Sequence, residues 1–327
     1  MEVVAVNDLG DAANLAYLLK HDSAYGKWSH EIKSGRDYLE IDAKRVKFIQ
    51  EKELSKLPWR ELGVDVVIES TGFYTTYEKA KVHIDAGAKR VVITAPAHGE
   101  HNHGPEVSPP LGGETSKWLG ATVLMGINEE RLKICQISSN ASCTTNASSP
   151  VIKIMNESVG VERAILSTTH AYTASQKIVD GPSSNDWREG RAAAANIIPS
   201  STGAAIAVTK AMPEFAGKFD GIAMRVPVLA GSIADITFIS KRPTTVDEVN
   251  EIFRKAARQE HWQGILAVTD EPLVSSDVVG EMHAAIVDLS MTRVVDGNLV
   301  KVLSWYDNEM GYTSTLIKHV VEIGKYL

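Results

Sequence analysis

Only two cysteines, Cys135 and Cys143, occur in 327 residues, too few for a disulfide framework and in keeping with a reducing compartment. No basic stretch running into an apolar one stands at the start, and no long uninterrupted apolar run follows, which argues against secretion and membrane spanning. With a net charge of −7, the chain offers no electrostatic footprint for nucleic acid or an anionic membrane. Also missing is any Gly-x-Gly-x-x-Gly turn, since Gly112-Gly113-Glu114 lacks both the spacing and a preceding strand. These absences predict a cytoplasmic protein, and the length allows two domains and a sizeable core.

What the chain does have is a repeated grammar. Val3-Val4-Ala5-Val6 is a short apolar run ending at Asn7-Asp8, as a buried parallel strand running into a loop should. Helical spacing follows over Ala12 to Leu19. Val64-Asp65-Val66-Val67-Ile68 then ends in Glu69-Ser70-Thr71-Gly72, a helical pattern covers Tyr77 to Ala86, and Arg90-Val91-Val92-Ile93 runs into Thr94-Ala95-Pro96. Strands alternating with helices predict an α/β fold with a doubly wound, Rossmann-type parallel sheet, which binds ligands beyond the carboxyl ends of its strands. Asp8, Thr71 and Thr94 fall at those ends. From Ala164 the pattern changes to strand-like segments at Ile222 to Val228, Ser232 to Ser240, Ala284 to Ser290 and Val300 to Trp305, with one clear helix at Val246 to Arg258. A second, α+β domain of mixed or antiparallel sheet is expected there. Leu316, Ile317, Val320, Val321 and Ile323 close the chain at the spacing of an amphipathic helix.

The chemistry concentrates in Ser139-Asn140-Ala141-Ser142-Cys143-Thr144-Thr145-Asn146. Hydroxyls flank the thiol and an apolar helical pattern follows it, so a helix N-terminus and a nearby imidazolium could lower its pKa and make it a nucleophile. The competing reading is a small buried hydrophobe; for Cys135, inside a strand-like run, that reading wins. Pro150 requires the following helix to start late or kink. His170 ends the run Ile165-Leu166-Ser167-Thr168-Thr169, where a side chain projects into a site or simply satisfies its own surroundings. Arg188 and Arg225, each taken alone, read as surface ion-pair partners. Thr202-Gly203 reads as a phosphate loop or a helix cap.

Together with Thr169-His170-Ala171-Tyr172-Thr173 and Ser304-Trp305-Tyr306-Asp307-Asn308-Glu309, the cysteine motif resembles phosphorylating glyceraldehyde-3-phosphate dehydrogenase, from Val3 to Ile323. The resemblance implies a homotetrameric NAD-dependent enzyme of glycolysis that converts D-glyceraldehyde 3-phosphate and inorganic phosphate to 1,3-bisphosphoglycerate through a cysteine thiohemiacetal and thioester. It implies catalysis by Cys143 and His170, and substrate and phosphate binding by Ser142, Thr144, Thr173, Arg188, Thr202, Gly203 and Arg225. Asp8 at the adenosine ribose, Lys52, Thr71, Thr94, Asn308 at the nicotinamide amide and Tyr312 against its ring are the implied cofactor residues. An acid at Asp8 favours NAD over NADP. The implied division is a cofactor domain of 1–142 with 310–327, carrying an insertion at about 97–121, and a catalytic domain of 143–309. Tyr172 to Pro199 is expected as an ordered loop between subunits.

Two departures qualify the resemblance. The family's first strand and Gly-rich turn have no counterpart, so a segment preceding Met1 is expected; an interaction protein built on a dehydrogenase remnant is the alternative, as is a sister enzyme oxidising erythrose 4-phosphate. Ala147 stands where the family often has a second cysteine. The insertion, with His98, His101 and His103, reads as a surface loop rather than a metal site, because no carboxylate or cysteine completes a ligand set.

Overall fold

A computed structural model describes residues 1–97, 118–184 and 186–327. The first part holds two sheets of four strands. The strands Val66–Glu69, Arg90–Ile93, Cys135–Ser139 and Trp118–Thr122 lie side by side in that order and are all parallel. The doubly wound sheet is therefore present, but the opening strand Ala5–Asn7 is not in it. Ala5–Asn7 instead pairs in parallel with Lys44–Ile49, which continues into an antiparallel meander through Tyr38–Ile41 and Ile32–Ser34. His98, His101 and His103 lie outside the described residues.

Helix starts follow the chemistry of their caps. Asp11, Thr76, Ser142 and Thr245 each accept a backbone N–H of the first turn, which an apolar residue there could not do. Pro150 neither delays nor shortens its helix, which runs unbroken over Cys143–Ser158. Packing overrides the local cost: the segment is buried along most of its length, and Ser148 and Ser149 turn their hydroxyls back onto the Thr144 and Thr145 carbonyls.

The later part is built on a seven-stranded mixed sheet in the order Ile198–Ser201, Phe219–Val226, Val161–Ala171, Ser232–Ser240, Leu299–Tyr306, Ala285–Val295, Leu266–Thr269. Ser232–Ser240 alternates strictly between buried and half-buried residues, so Ala234, Ile236 and Phe238 face one side. Against that side pack Cys143–Ser158, Ala204–Ala211 and Val246–Ala257, sharing one apolar core that includes Val151, Met155, Val208, Val249 and Phe253. The final helix, Met310–Ile323, leaves this sheet and lays Leu316, Val320 and Ile323 on Val92, Ala121 and Val123 of the parallel sheet. Among the described residues no helix is long and apolar enough to cross a membrane.

Candidate active site

Strand register assembles the site. Val161–Ala171 and Phe219–Val226 run parallel with His170 directly opposite Arg225, while Ser232 faces Tyr306 across an antiparallel pair. Two strand ends, one strand start and the end of Leu299–Tyr306 thus converge, and Cys143 enters as the first residue of its helix. Its half-buried Sγ lies 3.3 Å from His170 Nε2. Tyr306 Oη lies beneath, 2.9 Å from Thr144 Oγ1 and 2.8 Å from Thr168 Oγ1, with its ring edge-on to the imidazole.

The tautomer of His170 follows from two contacts at Nδ1. The Ala171 carbonyl is 2.6 Å away and Arg225 Nη1 is 2.5 Å away. A carbonyl demands a donor and a guanidinium demands an acceptor, so both cannot be served. Because the carbonyl is fixed in the strand while the guanidinium swings on a flexible stem, Nδ1–H donates to Ala171 and Nε2 keeps its lone pair toward the thiol. Arg225 can move onto the Ala171 oxygen, already 3.4 Å from its Nη1, or onto an anion; among the described residues its buried Nε has no partner.

Desolvation pushes the Cys143 thiol above its ordinary value, against the Thr144 hydroxyl and the Arg225 charge, which pull it down. Burial first, and then the Arg225 charge, depress His170 to about 4. Burial of both groups and the Arg225 charge beside the ring thus oppose the thiolate–imidazolium pairing that the resemblance implies, and favour thiol and neutral imidazole. While the guanidinium stays 2.5 Å from the ring it disfavours a second positive charge there, and its movement onto an anion relaxes that constraint.

The other expected residues divide into groups. Ser142 caps the Cys143 helix and meets Thr145, whose hydroxyl reaches the Ala204 carbonyl and so ties this helix to the Thr202-Gly203 turn. Thr202 accepts the Ala204 N–H, and Gly203 is the N-cap of Ala204–Ala211. Thr173 bonds Gln176 just beyond His170, on the wall of a cleft of about 530 Å³ that also touches Asp22, Lys177 and Glu309. Arg188 is not brought to the thiol: its guanidinium forks onto Asp186 (Nε–Oδ1 3.0 Å, Nη2–Oδ2 2.7 Å) in an exposed turn.

On the cofactor side, Thr71 and Thr94 end neighbouring parallel strands and both bond Glu69, Thr71 through the carboxylate and Thr94 through the backbone carbonyl. Asp8 is exposed and accepts only the Gly10 N–H within its own turn. Lys52 is exposed between Glu51 and Glu53. Asn308 is buried, and Ser232 donates to its Oδ1 at 2.9 Å. Tyr312 donates to the Ala141 carbonyl.

Three contributors escape the sequence reading. Ser232 accepts the Ala171 N–H and donates its own hydrogen to Asn308 Oδ1. Tyr306 stands in a quoted motif, and only period-two alternation with buried Ser304 hints that it points inward. Tyr25, in the hairpin of His21–Asp22 and Gly26–Lys27, reaches 2.9 Å to both oxygens of buried Asp307, which also accepts the Gly280, Glu309 and Met310 N–H groups. No local signal announces that contact.

Comparison with known proteins follows the same lines. The family model described as "Glyceraldehyde 3-phosphate dehydrogenase, C-terminal domain" matches residues 142–308, and "Glyceraldehyde 3-phosphate dehydrogenase, NAD binding domain" matches residues 1–77. The chain is 43% identical over 329 residues to glyceraldehyde-3-phosphate dehydrogenase 2 of Streptomyces avermitilis, covering 100% of this chain and 92% of that one. It is 44% identical over 330 residues to glyceraldehyde-3-phosphate dehydrogenase of Mycobacterium avium, covering 100% and 91%. With the enzyme of that name from Clostridium acetobutylicum it shares 42% over 330 residues, covering 99% and 92%.

Proposed function

Since the chain belongs to the glyceraldehyde 3-phosphate dehydrogenase family, we propose that Cys143 and His170 carry its reaction. The chain is an NAD-dependent oxidoreductase of glycolysis, converting D-glyceraldehyde 3-phosphate and phosphate to an acyl phosphate. The observation that supports the residue assignment is the 3.3 Å approach of His170 Nε2 to Cys143 Sγ, with Nδ1 held by a strand carbonyl.

Starting from thiol and neutral imidazole, the state that burial favours, the proton movements run in the following order. As Sγ attacks the aldehyde carbon, Nε2 takes the thiol proton, and the imidazolium so formed returns it to the carbonyl oxygen, giving a thiohemiacetal. Nε2 is then free to take the hydroxyl proton back when the substrate's C–H hydride departs, leaving a thioester on Cys143. An oxygen of inorganic phosphate attacks the thioester carbon, the C–S bond breaks, 1,3-bisphosphoglycerate leaves and the sulfur recovers the proton from His170. Arg225, with its unpartnered Nε, and the Thr202-Gly203 turn are the groups suited to anions beside the thiol, with Thr173, Ser142 and Thr144 supplying hydroxyls. Arg188 joins them only by exchanging Asp186 for phosphate.

NAD accepts the hydride when bound. The residues present fit it: Ser232 occupies Asn308 Oδ1, so Asn308 Nδ2 is the atom left to donate to a carboxamide oxygen. Asp8, Lys52, Thr71 and Thr94 would take the adenosine half, and Tyr312 would wall the ring. We divide the chain as a cofactor domain of 1–142 with 310–327 and a catalytic domain of 143–309. A homotetramer in the cytoplasm completes the reading; Ile178, Val179, Trp187 and Ile197, all strongly exposed between Tyr172 and Pro199, support a subunit contact there. Following NADH at 340 nm with D-glyceraldehyde 3-phosphate, with and without phosphate, tests the function. Loss of turnover in Cys143→Ser and a tetramer by sedimentation are expected; a serine variant with near-normal turnover overturns the assignment of Cys143.

A further inference from the structure

The turn that delivers Cys143 is strained. Ala141 is fully buried and left-handed, with φ +54°, a conformation disfavoured for a residue with a Cβ. Its surroundings over-determine it. Ser139 Oγ accepts the Ala141 N–H while donating to the Ala95 carbonyl; Asn146 Nδ2 bridges the Asn140 and Ser142 carbonyls at 2.8 and 2.9 Å; Tyr312 Oη takes the Ala141 carbonyl at 3.2 Å. The backbone of the turn is thereby tied down. The side chain of Asn140, wholly buried one residue before the strained position, is held separately.

Its partner is His319, one turn from the end of Met310–Ile323 and also wholly inaccessible to solvent. His319 Nδ1 lies 3.1 Å from Asn140 Oδ1, and Nε2 lies 2.8 Å from Ser138 Oγ. An amide oxygen only accepts, so Nδ1 carries the hydrogen and Nε2 accepts the Ser138 hydroxyl; one neutral tautomer satisfies both. Burial depresses His319 to about 3, consistent with that state. A histidine in an otherwise apolar contact between helix and sheet carries a desolvation cost that leucine would not, and no reaction step uses it.

We propose that His319 is a positioning residue: its bond to Asn140 holds the left-handed turn that aims Cys143 at substrate. The physical reason is that freeing the Asn140 carboxamide leaves a buried acceptor unpaired, which favours relaxation of the turn. A displacement near 1 Å at a reacting atom costs up to about 10²-fold in rate. The inference rests on Cys143 being the nucleophile.

The test uses the full chain, with active sites counted by titration so that misfolded protein does not enter the rates. In His319→Leu combined with Ser138→Val, which removes the polar pair without orphaning the serine, kcat should fall by about tenfold or more with KM for NAD and for the aldehyde unchanged. Iodoacetamide should label Cys143 more slowly by a comparable factor. His319→Asn, whose amide can still donate to Asn140, should recover most of both. If kcat per titrated site and the labelling rate stay at wild-type levels in the double variant, or if His319→Asn loses as much as leucine does, the proposal is overturned. Cys143→Ser run in parallel separates the two readings: substantial turnover there refutes the nucleophile, and with it the premise.

Discussion

The crevice around Cys143 and the rim bearing Asp8 and Lys52 are built on opposite plans. Around the thiol, His170, Thr144, Thr168 and Tyr306 are buried, and each bonds a group from a different element. At the rim, Asp8 and Lys52 are exposed, and the Asp8 carboxylate accepts the Gly10 N–H of its own turn. The contrast separates two tasks. Chemistry requires reacting atoms held to a fraction of an ångström, and rigidity of that kind comes from burial and shared hydrogen bonds. Holding one end of a long ligand needs less, because an exposed side chain can settle on it at modest entropic cost.

Substitutions can break or sharpen this contrast. The largest effect is expected at Cys143→Ser, which should abolish NADH formation while leaving the circular-dichroism spectrum unchanged. His170→Asn should slow turnover by about 10²–10⁴-fold and flatten the pH–rate profile; an unaltered profile would remove His170 from acid–base duty. Acid should find the crevice side first. His170 and His319 have folded-state values of about 4 and about 3, below the ordinary 6.5. Their neutral forms therefore favour the fold above pH 6.5, and this contribution is lost as pH falls toward those values. The slope is about 1.4 kcal/mol per pH unit for each group, read as a falling midpoint in urea titrations from pH 6.5 to 4; a flat midpoint would argue against both burials.

Tyr306→Phe removes the hydrogen bonds to Thr144 and Thr168, of which Thr168 keeps the Ile233 carbonyl, and should lower stability by about 1–3 kcal/mol, with a fall in kcat. Asp8→Ala should do the reverse, raising KM for NAD about tenfold, or about 1.4 kcal/mol, with stability unchanged within about 0.5 kcal/mol. If Asp8→Ala unfolds the protein, or Tyr306→Phe changes only KM for NAD, the two plans are not distinct.

Legibility in the sequence follows the same division. The flanks of Cys143 and His170 are local, a hydroxyl cluster and the end of an apolar run, yet by themselves they left a buried thiol and a structural histidine open; the resemblance supplied the roles. Arg225 could be named as an anion binder, but its place beside His170 is a matter of strand register that no local pattern encodes. Arg188 meets a carboxylate two residues away, Asp186, so local charge pairing decides where its guanidinium rests. Pro150 misled because propensity is a weak force beside the burial of a whole helix. Strand alternation found the mixed sheet, while the placement of Ala5–Asn7 beside Lys44–Ile49 depends on pairing across the chain.

The bond between Tyr25 and Asp307 sets a schedule. Its two ends are 282 residues apart, so at ribosomal speeds of 5–20 residues per second the tyrosine is synthesised roughly 15–60 s before its carboxylate. Throughout that interval the hairpin of His21–Asp22 and Gly26–Lys27 has no Asp307 to meet, and the early sheets must stand on their own contacts. The turn bearing Asn308 emerges long after that hairpin and docks against a surface already made. The end of the crevice suited to a carboxamide is therefore closed only after both sheets of the first part have been synthesised.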